Sequence, residues 1–208
     1  MLRRPARDQL IYGAIWLALA APLPLFLWTG LHGSMRQRDE LVRQEGLWAI
    51  RILIASFSLS PLARLLRRPV LHRYKRTVGL FGFTYAACHG IYYFLYGRVW
   101  QFPLRIWEQR LYIPLGLLSL VLLVPLAATS TDGSMRRMGP KAWRRLHAVI
   151  YPVMLMIAVH ALWQSNIDYA QPGLYLAAIA LLLVIRLPPV MAWLLKATRP
   201  LAVRPAIS

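Results

Sequence analysis

The distribution of apolar residues along the chain is dominated by six long hydrophobic runs. They fall near residues 10–29, 46–63, 77–96, 111–129, 147–164 and 173–194. A helix of roughly 20 mainly apolar residues crosses a bilayer core of about 30 Å, and the runs lack the strict alternation of a membrane β-barrel. The pattern therefore predicts an all-α, polytopic membrane protein, built as a six-helix transmembrane bundle in one domain over residues 1–208.

The first run follows several basic residues, as the hydrophobic part of a signal peptide does. It is long enough to cross a membrane, and no small-residue cleavage site follows it cleanly. We therefore expect it to be retained as the first membrane helix.

The charge of the chain is strongly basic, with 25 Lys and Arg, seven Asp and Glu, and a net charge of +18. In a soluble protein this balance would suggest nucleic-acid binding. Most of the basic residues, however, lie on one side of the predicted membrane, accompanied there by only Asp8 and Asp132. They fall in the N-terminus, the connections 64–76 and 130–146, and the tail. The positive-inside rule then predicts cytoplasmic termini, contact with anionic membrane lipid and no nucleic-acid partner.

Three of the five histidines fall in predicted membrane helices. His32 and His72 lie in connections and are expected at the surface, whereas His89 belongs to the third run and His147 and His160 to the fifth. An ionisable side chain inside a membrane is costly and usually has a functional partner. These three residues are therefore the candidates for chemistry.

The depths of His89 and His160 can be compared because both runs start at the basic side. With a rise of about 1.5 Å per residue, His89 lies roughly 18 Å beyond Thr77 and His160 roughly 20 Å beyond His147. Two imidazoles at one depth predict the two axial ligands of a haem iron in the outer half of the membrane. The alternative for each is an interhelical hydrogen bond.

His147 is predicted near the inner boundary, either as a further haem ligand or as an interfacial residue. On one ideal helix it would lie about 140° around the axis from His160. The two side chains could face one neighbour only if the helix were distorted, and Pro152 lies between them to provide such a distortion.

Three segments resemble one known family. They are SPLAR at 60–64, KRTVGLFGFTYAACH at 75–89 with Tyr92 and Tyr93 after it, and WRRLHAVIY at 143–151, followed by His160. In this order and spacing, over nearly the whole chain, they resemble MsrQ (YedZ), the haem-binding membrane subunits of MsrPQ methionine sulfoxide reductase systems. That family is part of the ferric reductase-like transmembrane group, which also includes the NADPH oxidases.

The resemblance implies a function in the bacterial inner membrane. A member of this family passes electrons from the quinone pool, or from a cytoplasmic flavin reductase, to a periplasmic MsrP-type molybdopterin subunit. That subunit repairs methionine sulfoxide in proteins. By position, His89, His147 and His160 match the haem-associated histidines of the family. The resemblance also implies haem b, as one group or two, and FMN, for which the chain offers no motif of its own.

The chain departs from the oxidases in two respects. Their haem-bearing helices each carry two histidines, whereas the third run here has His89 alone, with Lys75 and Arg76 where the other would fall. A second haem on His147 would need another ligand, for which His72 is a weak candidate. We also expect a separate electron donor, since little sequence follows the sixth run.

The favoured hypothesis is an electron-transfer subunit rather than a catalytic one. Arg51, in the second run, is expected either to pair with a haem propionate or to extend to the interface. The competing hypotheses are a proton-coupled transporter and a non-redox assembly subunit. The first is weakened because no predicted span contains Asp or Glu, and no buried nucleophile suggests a membrane protease.

Overall fold

A computed structural model describes residues 6–96, 110–165 and 169–198. These ranges contain nine α-helices, one 3-10 turn at Pro69–Leu71 and no strand, which confirms the all-α prediction for them. The helices are α1 (Ala6–Ala20), α2 (Pro22–His32), α3 (Met35–Leu65), α4 (His72–Tyr96), α5 (Tyr112–Ala128), α6 (Asp132–His147), α7 (Ile150–Gln164), α8 (Ala170–Ile185) and α9 (Pro188–Ala197).

Within the described ranges, four helical stretches are long and apolar enough to cross a membrane, and a bent pair, α8 with α9, raises the number to five. The four are Asp8–His32, Met35–Leu65, Pro69–Tyr96 and Asp132–Gln164. Helix α5 is apolar but shorter, at 17 residues. Outward-facing side chains such as Leu10 and Leu17, each about three-quarters exposed, fit contact with lipid rather than water. The chain is therefore a multi-pass membrane protein.

Helix α3 begins well before the predicted span at 46–63. It starts at Met35, where the backbone N–H of Ser34 donates to Gln37 Oε1 at 2.8 Å, as in a capping box. The helix therefore continues through a polar stretch that hydropathy assigned to a connection. This brings Glu45 into the helix, where it is only 1% exposed. The expectation that no span carries an acidic residue is wrong.

The predicted connection at 130–146 is largely helical. Thr131 caps α6 by accepting a hydrogen bond from the Ser134 N–H at 3.0 Å. The helix bends at Gly139, whose φ of 76° is one that glycine adopts without strain, and Pro140 follows it. Residues 148 and 149 form a turn between α6 and α7. His147 and His160 are therefore on different helices. The angle around the helix axis that was calculated for one ideal helix does not apply to them.

The prediction of one continuous span over 173–194 is wrong in its second half. Helix α8 ends at Ile185, and α9 begins at Pro188 at an angle of 84° to it. Pro188 and Pro189 supply no N–H groups to continue α8. Leu187, which precedes them, has ψ of 132°, as expected for a residue before proline.

Helix α3 is the centre of the packing. One face joins α5, α7 and α8 in a core that includes Ile50, Leu53 and Val153, and another packs on α4 through a core that includes Ile52 and Tyr85. We call the end of the bundle that carries Arg64, Arg73, Arg76, Arg136 and Arg144 the basic end. Two ion pairs lie there, Arg73 with Asp8 and Arg76 with Asp132, each at 2.8 Å.

Candidate functional site

A cavity of about 460 Å³ lies between α3, α4, α5, α7 and α8. Leu53, Leu123 and Ile157 contribute to its apolar walls, and His89 and His160 both line it. Its size is in the range of pockets for cofactors and other small ligands.

His89 of α4 and His160 of α7 face each other across this cavity. Their ring centroids are 6.3 Å apart, and the ring planes are inclined by 76°. Helices α4 and α7 both run away from the basic end, so residues near the end of each helix reach the same level. The structure therefore brings together two of the four sequence-predicted site residues.

Both rings are held in the same way by a backbone carbonyl of another helix. His89 Nδ1 lies 2.8 Å from the carbonyl oxygen of Val42 in α3, and His160 Nδ1 lies 2.7 Å from that of Tyr112 in α5. A carbonyl oxygen only accepts, so Nδ1 carries the proton in each ring. This leaves Nε2 as the nitrogen with a lone pair for a metal, the arrangement usual for metal-binding histidines.

The histidine pair suits some metal groups better than others. No group of three or more His, Cys, Asp or Glu that could hold a metal ion occurs in the described part of the chain. A bare zinc ion takes about four ligands, more than two imidazoles supply. Two imidazoles match the two axial positions of an iron that a porphyrin already holds.

The cavity has a polar end, formed by side chains near the ends of the helices that surround it. These are Arg43, Tyr112, Gln164, Ser165 and Gln171. This polar end is opposite the basic end. Helices α4 and α7 end at it, and helices α5 and α8 begin at it. Arg43 also forms an exposed ion pair with Glu40 at 2.6 Å. The combination of a polar end and apolar walls suits an amphipathic ligand with anionic groups at one edge.

Arg51 does not line the cavity. It is exposed, and its Nε donates to the hydroxyl oxygen of Tyr175 at 2.7 Å. Tyr175 itself is part of the cavity wall. The structure therefore places the predicted arginine one residue removed from the site.

His147 also lies outside the cavity lining, at the end of α6. Its ring stacks on Trp143, with 3.8 Å between centroids, and its Nε2 is 3.0 Å from Thr129 Oγ1. The Thr129 hydroxyl donates its one proton to the carbonyl of Pro125 at 2.6 Å. It therefore accepts from His147, whose Nε2 carries a proton in this arrangement.

The remaining two histidines agree with the surface interpretation. His32 and His72 are both exposed. His32 stacks on Trp28 of its own helix, with ring centroids 4.0 Å apart. Neither residue lines the cavity.

Sequence reasoning missed Arg43, Val42 and Tyr112 as parts of the site. Arg43 lies in a polar stretch that hydropathy placed in a connection. Val42 and Tyr112 hold the two imidazoles through their backbone oxygens, a role that no residue type signals.

Comparison with known proteins identifies relatives over most of the chain. Residues 45–158 match the family described as "Ferric reductase like transmembrane component". A protein of Caulobacter vibrioides named "Protein-methionine-sulfoxide reductase heme-binding subunit MsrQ" is 38% identical over 88% of this chain and 90% of its own length. A protein of the same name from Xanthomonas campestris pv. campestris is 37% identical, with 82% of each chain covered. The family match and the extent of these identities show that this multi-pass membrane protein belongs to the MsrQ family of the ferric reductase-like transmembrane proteins.

Proposed function

We propose that this chain is a haem b electron carrier of the bacterial inner membrane. It takes electrons from the quinone pool, or from a cytoplasmic flavin reductase, and passes them to a periplasmic MsrP-type molybdopterin reductase that repairs methionine sulfoxide. The observation that carries the proposal is the pairing of His89 with His160 across a cofactor-sized cavity. The relatives' description as heme-binding subunits supports it.

The residues present fit a haem in three respects. An imidazole nitrogen binds a first-row metal at roughly 2 Å, so two rings sharing one ion have centroids roughly 6 Å apart, close to the 6.3 Å observed. The apolar walls suit the porphyrin face. At the polar end, Arg43 with Gln164 and Gln171 offers donors for carboxylate groups, with Arg43 supplying the charge-assisted bond. Arg51 would act on such a group only through Tyr175.

The protein's own contribution is to hold and insulate the redox centre. When bound, haem supplies a site for one electron within the membrane. His89 and His160 would hold the iron, and the Val42 and Tyr112 carbonyls fix both ring orientations. The surrounding apolar residues exclude water, which sets the dielectric environment of the iron. In this proposal the S–O bond of methionine sulfoxide is broken on the MsrP-type partner, so the chain is an electron-transfer subunit.

The proposed orientation follows from the charge distribution. We place the basic end in the cytoplasm, with six membrane crossings and both termini on that side. The polar end of the cavity then faces the periplasm, the side on which an MsrP-type partner docks. A second haem at His147 and a bound FMN rest on the family resemblance alone.

A proton-coupled transporter is the second candidate function. Glu45 favours it, because this carboxylate is 1% exposed and its Oε2 has no hydrogen-bond partner among the described residues. Buried carboxylates in membrane helices often move protons. Glu45 does not line the cavity, however, so the electron-carrier function has the stronger geometric support.

The visible absorption spectrum distinguishes the two functions. We expect protein purified in detergent from haem-replete cells to show a Soret band that shifts when dithionite is added. A colourless, folded preparation would contradict the haem carrier. Transfer to the partner is tested by mixing reduced protein with a purified MsrP-type subunit and methionine sulfoxide, which should reoxidise it.

A further inference from the structure

Each of the two paired histidines lies against a glycine of a neighbouring helix. A Cβ atom built on Gly46 of α3 would lie 3.2 Å from His89 Cε1 and Nδ1. A Cβ on Gly116 of α5 would lie only 2.6 Å from His160 Cε1 and Nδ1. Any larger residue at either position would therefore meet the edge of the ring that carries Nδ1.

The carbonyl that each ring binds stands one helical turn before the glycine. Val42 and Gly46 are at positions i and i+4 of α3, and Tyr112 and Gly116 are at positions i and i+4 of α5. In an α-helix the Cβ points toward the N-terminus, so a side chain covers the turn that precedes it. A side chain at position i+4 would thus cover the carbonyl at position i, whereas glycine leaves it open to a neighbouring imidazole.

Other glycines of the chain have a more ordinary role. Gly82 lies beside Leu53 and Gly90 beside Leu120, where a Cβ would meet aliphatic carbons at 2.8 Å. Small residues of this kind let membrane helices approach closely. Gly46 and Gly116 differ, because the group against each of them is a candidate ligand that also bonds to the adjacent turn. The same arrangement occurs on two different helix pairs, α3 with α4 and α5 with α7.

We infer that Gly46 and Gly116 are positioning residues for the two axial ligands. Each glycine admits the imidazole to the preceding carbonyl, which fixes the ring orientation and directs Nε2 to the iron. This inference rests on the proposed haem-carrier function. The contact at Gly116 is the tighter of the two, so a methyl group there displaces His160, whereas one at Gly46 requires His89 to move by only a few tenths of an ångström.

The test is a set of glycine-to-alanine variants with haem content, spectrum and midpoint potential as readouts. Loss of a partner that orients a metal ligand typically weakens metal binding by about 10- to 100-fold. We expect Gly116→Ala to lower haem affinity by about tenfold or more, with loss of the low-spin electron paramagnetic resonance signal. We expect Gly46→Ala to keep its haem, with shifted g-values and an altered midpoint potential.

Two variants serve as controls. In Gly13→Ala and Gly173→Ala the added methyl group meets nothing within 4 Å among the described residues, and neither glycine lines the cavity. Both should keep the spectrum and potential of the unmodified protein. Alanine stabilises a helix relative to glycine. The unfolding temperature of the haem-free Gly46→Ala variant should therefore not be lower than that of the haem-free unmodified protein.

The outcomes separate this inference from the function on which it rests. A colourless unmodified protein contradicts the haem function itself. Suppose instead that the unmodified protein binds haem and that Gly46→Ala and Gly116→Ala both keep its haem affinity, g-values and midpoint potential. That result overturns the positioning role and leaves the haem function standing. If Gly116→Ala does not fold, Gly46→Ala decides: shifted g-values support the inference, and unchanged ones overturn it.

Discussion

Arg51 donates a hydrogen bond from Nε to the hydroxyl oxygen of Tyr175 at 2.7 Å, which joins α3 to α8. Tyr175 lines the cavity whereas Arg51 does not, and among the described residues Arg43 is the arginine in the cavity lining. Arg43 is thus the better placed of the two to affect an anionic or redox-active ligand directly.

Replacing these two arginines separately tests that difference. A positive charge near a redox centre favours the state that has gained an electron, so Arg43→Gln should lower the haem midpoint potential. Arg51→Gln should change it less, because Arg51 does not line the cavity and reaches it only through Tyr175. Redox titration followed at the Soret band measures both variants. A larger shift in Arg51→Gln than in Arg43→Gln would show that the roles are reversed.

His147→Ala is expected to leave the haem content unchanged. His147 bonds to Thr129 and stacks on Trp143, outside the cavity. The haem-to-protein ratio of purified protein measures the effect, with the exposed His72→Ala as the control. Loss of about half the haem in His147→Ala would instead establish a second haem at the basic end.

Glu45→Gln is expected to preserve or increase thermal stability at neutral pH. The Glu45 side chain is almost fully buried, and no residue in the described part of the chain hydrogen-bonds to its Oε2. Glutamine keeps the shape and a polar group but removes the negative charge, so the part of the burial cost that comes from an unpaired charge is lost. Thermal unfolding in detergent measures this, with the exposed Asp39→Asn as the control. A clearly less stable Glu45→Gln variant would indicate that the carboxylate has a stabilising partner.

Tyr85→Phe should lower thermal stability without changing the haem spectrum. Tyr85 is fully buried, and its hydroxyl donates to the carbonyl oxygen of Leu19 at 2.8 Å, which joins α4 to α1. Loss of one such bond costs about 1 kcal/mol. The matched control is Tyr169→Phe, since Tyr169 is exposed. Equal unfolding temperatures for the two variants would show that the buried bond contributes nothing.

The depth of the histidine pair was accessible from sequence because it depends on two simple quantities. The helical rise and the side of the membrane at which each run starts place His89 and His160 at one level, and the structure brings their rings within 6.3 Å. Their assignment as iron ligands stays a prediction. His147 could not be placed in this way, because its position depends on the turn at residues 148 and 149.

Other parts of the site were hidden for physical reasons. Hydropathy began the second span at residue 46, so Glu45 and Arg43 were assigned to a connection. A helix, however, continues through polar residues wherever its backbone bonds are satisfied, and here it begins at Met35. The roles of Gly46 and Gly116 depend on which ring lies opposite, which only the packing of four helices reveals. The bend before Pro188 has a clearer signal, since two consecutive prolines interrupt an apolar run.

The most direct test of the central claim compares His89→Ala, His160→Ala and His32→Ala by electron paramagnetic resonance and reduced-minus-oxidised absorption spectra. If His89 and His160 hold one haem iron between them, each of their variants loses the same low-spin signal, and His32→Ala, altered at an exposed residue, keeps it. A His160→Ala variant that retains the signal lost in His89→Ala would show that these two imidazoles do not share an iron.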